Sequence, residues 1–170
     1  KIYGLNILGD IYRSFELAEK YGVSFIQIDS VCGHLEPDLD EEYESMLKFL
    51  RRNSDCTVLG GVRFKYQPVN SGRTLAEDLK IGMGRCDAVV CTGEGTGLAT
   101  PMDKVEKFKQ ILGDFPVIIG AGVTIDMVEA CRRNSDGVIV GSWFKDNHRA
   151  EYSVNEDNVK DFMLRWNAHT

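Results

Sequence analysis

Short apolar runs alternate with amphipathic stretches along the whole chain. Six runs predict strands, over residues 2–8, 24–30, 57–65, 88–93, 117–121 and 138–141. Between and after them apolar positions recur at helical spacing, which predicts helices over residues 11–21, 41–53, 75–85, 101–112, 125–134 and 155–167. Strand starts fall roughly 20 to 33 residues apart, the period of a β/α unit, so the sheet should be parallel. Boundary residues support several ends. Thr74 and Glu77 form a capping box ahead of Leu75, Leu79 and Ile81. Thr100 is placed to cap a helix with Pro101 at its first position and Gly113 as its stop, and Gly22 is a stop after Tyr21. Ser153 and Glu156 read as a second box before Val159, Phe162, Met163 and Trp166, four residues that should face the core. The polar segment 148–155 reads as a surface loop, and residues 1–170 as one domain.

Side-chain alternation within the strands separates two architectures. Val58, Val62 and Phe64 share one face of residues 57–65, while Gly61, Arg63 and Lys65 share the other. Ile26 and Ile28 oppose Gln27 and Asp29, and Leu5 and Ile7 oppose Asn6. An open doubly wound sheet would bury those polar residues under helices. A (β/α)8 TIM barrel turns them into its mouth, where active sites form, and this is the predicted fold class. Only six of the eight units are legible. The edges at 2–8 and 138–141 would then stand open and invite pairing, so the chain is a fragment of a longer barrel, or other polypeptide closes it, or it forms an oligomer. A start at Lys1 rather than Met agrees with a missing or processed N-terminal segment.

Composition narrows the class. The chain has 170 residues, 43% of them hydrophobic, enough for a core of domain size, and a net charge of −6, which argues against a nucleic-acid surface. No apolar run approaches the ~20 residues needed to cross a bilayer. The five cysteines, Cys32, Cys56, Cys86, Cys91 and Cys131, form no C-x-x-C pair, which predicts reduced thiols and a cytoplasmic protein. His34, His148 and His169 are scattered and pair with no cysteine at ligand spacing, so no metal site is predicted. Cys91 is either a nucleophile or a small apolar residue buried in a strand.

The richest stretch is 116–142, PVIIGAGVTIDMVEACRRNSDGVIVGS, where two apolar runs end in Gly120-Ala121-Gly122 and Gly141-Ser142. Glycine tips after buried strands let backbone N–H groups reach a ligand, and barrels often hold phosphate after their last two strands. Gly120, Gly122, Thr124, Gly141 and Ser142 are therefore the candidate phosphate cradle, helped by the helix N-terminus behind Thr124; otherwise these glycines only permit tight turns. Lys65 is a candidate base, Schiff-base former or counter-charge, or else a lysine snorkelling from a strand end. Asp29 is a candidate general base, or the partner of Arg63 or Lys65 in an ion pair. Asn6 is placed to orient a substrate hydroxyl or to tie down a loop, and Arg63 to organise the site. Thr92, Glu94 and Thr96 lie in T-G-E-G-T-G, which is neither a P-loop nor a dinucleotide fingerprint; Glu94 is the second carboxylate candidate. Lys145 is a phosphate counter-charge or an exposed loop lysine. No cofactor is evident; a divalent ion bridging Asp29, Glu94 and substrate, and FMN at the glycine tips, are the alternatives weighed.

The order of motifs resembles the BtpA/SgcQ family of TIM-barrel proteins over nearly the whole chain. Gly4-Leu5-Asn6-Ile7-Leu8, Ser24-Phe25-Ile26-Gln27-Ile28, Val62-Arg63-Phe64-Lys65-Tyr66, Asp87–Gly93 with Thr96-Gly97, Pro116–Thr124 and Asp136–Ser142 follow the family's sequence of motifs. The resemblance implies a ribulose-phosphate-binding-type barrel without its first two β/α units. Gln27 replaces a commonly basic residue, and the 34–40 loop is unusually acidic. The family is associated with photosystem I biogenesis, and one branch lies beside sugar-uptake genes. The expected function is binding of a phosphorylated sugar or nucleotide-like metabolite, as a lyase, isomerase or glycosyl-bond hydrolase using Asp29, Lys65 and Glu94. The alternative is a non-catalytic assembly or regulatory module that binds a metabolite or a partner protein.

Overall fold

The computed structural model describes residues 1–168; His169 lies outside the described residues. Strands and helices alternate as β1 (Gly4–Leu5), α1 (Ile11–Tyr21), β2 (Phe25–Cys32), α2 (Pro37–Arg52), β3 (Thr57–Val62), α3 (Leu75–Met83), β4 (Ala88–Cys91), α4 (Met102–Leu112), β5 (Val117–Ile119), α5 (Val128–Asn134), β6 (Gly137–Val138) and α6 (Glu156–Asn167). The residues group into two compact units, Lys1–Val90 and those from Cys91 on.

In the first unit β1, β2, β3 and β4 pair in chain order, all parallel. Alternation along β2 buries Ile26 and Ile28 and leaves Gln27 and Asp29 half-buried, as the pattern predicts. Helix α1 has its predicted ends. Asp10 caps it by accepting from the Arg13 amide at 2.8 Å, and Gly22 stops it in the left-handed conformation at φ 63°. The capping box of α3 forms in both directions, the Glu77 carboxylate taking the Thr74 amide at 2.8 Å and the Thr74 hydroxyl taking the Glu77 amide at 3.3 Å. Helix α2 starts earlier than residue 41, because Pro37 suits the first turn and Asp38 and Asp40 favour the positive end of the helix.

The strand limits need correction. β1 stops at Leu5, which leaves Asn6 beyond it. β3 stops at Val62 rather than 65, since Arg63 takes φ 48° and Tyr66 φ 63°, so Arg63 and Lys65 do not continue a strand face.

The reason for that turn is a buried charge network. Asp78, on α3, is 0% exposed. It accepts from Arg63 Nε at 2.8 Å, Arg73 Nε at 2.9 Å and the Ser71 hydroxyl at 2.9 Å. Asp40, also buried, takes Arg73 at 2.7 Å and Arg85 at 2.7 and 3.1 Å. Arg85 continues to Glu44 at 2.7 Å and to the Val31 carbonyl at 3.0 Å.

In the second unit β5 and β6 pair in parallel. Val105, Phe108 and Leu112 of α4, Val117 and Ile119 of β5, Val128 and Cys131 of α5 and Phe162 of α6 make the core. Of the four α6 residues expected to face inward, Phe162 is buried and Met163 is exposed. The Ser153–Glu156 box does not form. Val154 bridges antiparallel to Lys145 and keeps the chain extended, and Asn155 caps α6 instead, accepting from the amides of Asp157 and Asn158 at 3.0 and 3.2 Å. Thr100 does not cap α4; its hydroxyl donates to the Ala121 carbonyl at 3.0 Å, and the helix begins after Pro101. All five cysteines are free thiols, and burial pushes Cys91 up to about 12, which favours the inert strand residue over the nucleophile.

Burial raises the carboxyl pKa values of Asp78 and Asp40, but the arginine hydrogen bonds outweigh it and hold both below the usual carboxylate range. Depressed folded values mean stability that is present above the ordinary carboxylate range and is lost as pH falls through the folded values. Replacing Asp78 with Asn strands Arg63 and Arg73, and we expect a loss of about 3 to 5 kcal/mol in urea denaturation at neutral pH. The loss should shrink as the wild-type chain is acidified; an equal loss at pH 7 and at strongly acidic pH would refute the assignment.

Candidate functional site

The first unit brings Asn6, just after β1, together with Gln27 and Asp29 of β2. Asp29 Oδ1 accepts from Asn6 Nδ2 at 3.0 Å and from Gln27 Nε2 at 3.4 Å. These three line a cavity of about 220 Å3 that also takes in Ser30, His34 and Tyr43. Tyr43 donates to the Ser30 carbonyl at 2.7 Å, and the His34 ring meets its ring edge-on at 5.2 Å. Lys65 is half-buried in the turn after β3, with its ammonium 5.7 Å from the Phe64 ring. The Arg63 guanidinium is held by Asp78 and donates to the Arg73 carbonyl at 2.6 Å, so it anchors the turn that carries Lys65.

The second unit brings Gly122, Thr124, Gly141 and Ser142 around a cavity of about 160 Å3, together with Gly97, Trp143 and His148. Gly122 has φ 65°, and a Cβ there would fall 2.2 Å from the Leu98 carbonyl oxygen, so only glycine lets the two loops approach. Among the described residues, the amides of Gly122, Thr124 and Gly141 donate to no backbone carbonyl. No Asp or Glu lines this cavity.

Three cradle expectations are corrected. Gly120 is outside the lining, because its amide donates to the Cys91 carbonyl at 2.8 Å. The helix behind Thr124 opens as a 3-10 turn, Ile125–Met127, and α5 proper has only 7 residues, so the anion field comes from individual amides rather than a long helix. The Lys145 ammonium bonds the Ala150 carbonyl, and it belongs to the local strap closed by Asp146 and Ser153 rather than to the cavity. Thr92 is buried, with its carbonyl taking Lys104 Nζ at 2.6 Å, and Glu94 is exposed in its loop. Among the described residues no three His, Cys, Asp or Glu side chains cluster as a metal-ligand set.

Sequence reasoning missed Trp143 and His148, whose rings stack 3.9 Å apart beside the cradle. The left-handed backbone at Asn147 and His148, φ 51° and 55°, carries the second ring back over the first, and no sequence periodicity announces it. Gln27, Ser30, His34 and Tyr43 were missed as one group because they come from a strand, a loop and a helix.

A family model described as the BtpA family matches residues 2–168. An uncharacterized protein of Thermococcus kodakarensis is 29% identical over 166 residues, covering 94% of this chain and 63% of that protein. This chain spans less than two thirds of the length of the curated relatives it matches most strongly. Among solved structures, a native KDPGal structure matches with TM-score 0.66 at 13% identity, covering 97% of this chain and 68% of that one. Phosphoribosyl anthranilate isomerase from Thermococcus kodakaraensis matches with TM-score 0.60 at 20% identity, covering 98% and 74%. The six β/α units are thus those of a TIM-barrel fold, and the chain belongs to the BtpA family.

Proposed function

We propose that this chain is the larger part of a barrel that binds a phosphorylated sugar or nucleotide-like metabolite and acts on it by proton transfer. Roles are assigned unit by unit. In the second unit Gly122–Thr124 and Gly141-Ser142 grip the phosphate with backbone amides and the two hydroxyls. In the first, Asp29 is the acid–base group, oriented by Asn6, and Lys65, in the turn after β3, is assigned the positive charge. Glu94, on a glycine-rich loop, is the second carboxylate. The observation that carries this reading is the carboxylate-free cavity at Gly122, where backbone approach excludes every side chain larger than hydrogen. A TIM-barrel neighbour whose name contains a phosphoribosyl substrate supports the ligand class.

The direct test is titration with inorganic phosphate followed by amide NMR. We expect shifts confined to residues 97, 122–124 and 141–143, and unmoved amides there would refute the cradle. Ser142→Ala and Thr124→Ala should each weaken phosphate binding several-fold, while Asp29→Asn should leave it within about twofold.

The two glycines also predict opposite mutational outcomes in thermal denaturation. Gly141, at φ −111°, has nothing within 4 Å of an added Cβ, so Gly141→Ala should keep stability within about 1 kcal/mol. Gly122→Ala meets backbone atoms of Leu98 and Ala99 in a left-handed conformation and should lose at least about 2 kcal/mol. Equal tolerance at both positions would contradict the described approach of the loops.

A further inference from the structure

Among the described residues that line the second-unit cavity, His148 alone has a side chain able to carry a charge. It belongs to the strap that follows β6. Two backbone bonds close that strap, from the Asp146 amide to the Ser153 carbonyl at 2.9 Å and from the Asn155 amide to the Phe144 carbonyl at 2.7 Å. Asn155 also donates to Asp146 Oδ1 at 2.8 Å, and Asn158 of α6 donates to the Lys145 carbonyl at 3.0 Å. Inside the strap the His148 amide bonds the Lys145 carbonyl at 3.0 Å, and His148 itself takes left-handed backbone, which is unfavourable for a residue with a Cβ. The imidazole lies flat on Trp143, with centroids 3.9 Å apart and planes within 2°.

The contacts of the ring define its chemistry. Nδ1 is 2.9 Å from the Trp143 carbonyl oxygen. A carbonyl has no proton to give, so Nδ1 is the donor and Nε2 is the nitrogen that gains or loses one. Both contacts suit the imidazolium: an aromatic face attracts a cation, and a charged donor strengthens a bond to a carbonyl. The other charged groups of the strap are engaged. The Lys145 ammonium bonds the Ala150 carbonyl, Asp146 takes Asn155, and Arg149 pairs with Glu151 at 2.5 Å. Across the cavity, residues 97, 122–124 and 141–143 have no ionisable side chain, and Glu94 is exposed and outside the lining. Amides and hydroxyls can hold an anion there but leave its charge uncompensated; a histidinium in the same lining compensates it.

We propose that His148, in its protonated form, is an anion-binding residue of this cavity that supplies positive charge to a doubly charged oxyanion, the terminal phosphate of a monoester. The proposal rests on the phosphate cradle of the function proposed above, and adds to it a charged partner and a dependence on pH.

Inorganic sulfate is the probe, because it stays doubly charged from about pH 5.5 to about pH 8.5, a range that spans ordinary histidine titration. Binding is followed by amide NMR at residues 122–124 and 141–143. Wild type should bind sulfate about tenfold more weakly at the upper pH than at the lower, as Nε2 loses its proton. His148→Asn removes the charge and keeps a residue that tolerates left-handed backbone. Its affinity should match that of wild type at the upper pH and change by less than about twofold over the range. In wild type slightly above neutral pH, sulfate should drive the nitrogen chemical shifts of the His148 imidazole toward the doubly protonated form, a readout that does not depend on the variant. A flat wild-type profile, an unmoved imidazole at saturating sulfate, or a pH dependence that survives in His148→Asn would each overturn the role of His148 and leave the cradle standing. Amides unmoved by sulfate and by phosphate at every pH would remove the cradle, and this assignment with it.

Discussion

Asp78 stands where the apolar pattern of α3 has just placed Leu75 and is about to place Leu79, and it is shielded from water. Desolvating a carboxylate there is costly unless its lone pairs are matched, and Arg63, Arg73 and Ser71 match them. Those partners come from the segment after β3, so satisfying one buried charge folds that whole connection onto α3. Asp40 repeats the arrangement from α2 with Arg73 and Arg85. Such networks add little net stability over an apolar core, but they admit few alternative geometries. Here the consequence is positional: Lys65 follows Arg63 by two residues, and the segment that presents it is held by directional bonds as well as apolar contact.

This constraint explains which parts of the fold were legible in the sequence. Helices α1 and α3 declare themselves through apolar spacing and caps, because a helix and its cap are settled within a few residues. The end of β3 is different. Residues 62–65 alternate like a strand, yet Arg63 leaves the extended region because its guanidinium must reach Asp78, fifteen positions on. The start of α6 fails for a related reason. Ser153-x-x-Glu156 has the form of a box, but the Ser153 carbonyl takes the Asp146 amide and Val154 pairs with Lys145, so the chain stays extended past Ser153 and the cap passes to Asn155.

The candidate sites divide along the same line. Gly122 could be singled out because it sits in a glycine tip directly after an apolar strand, although the Leu98 carbonyl that makes glycine obligatory comes from a distant loop. The different fate of Gly120, two residues earlier, depends on the Cys91 carbonyl, which belongs to another strand. Lys145 looked like a counter-charge after a glycine tip, and only the strap through Ala150 shows where its ammonium goes.

The two cavities present different electrostatic surroundings within a chain of net charge −6. In such a protein an anion site works best where carboxylates are absent and the donors are uncharged amides fixed in place, which need no lysine to be desolvated. The Gly122–Gly141 cavity meets that description, its lining having no acidic side chain. The Asn6–Asp29 cavity differs in its lining, which includes a carboxylate that accepts from the amides of Asn6 and Gln27.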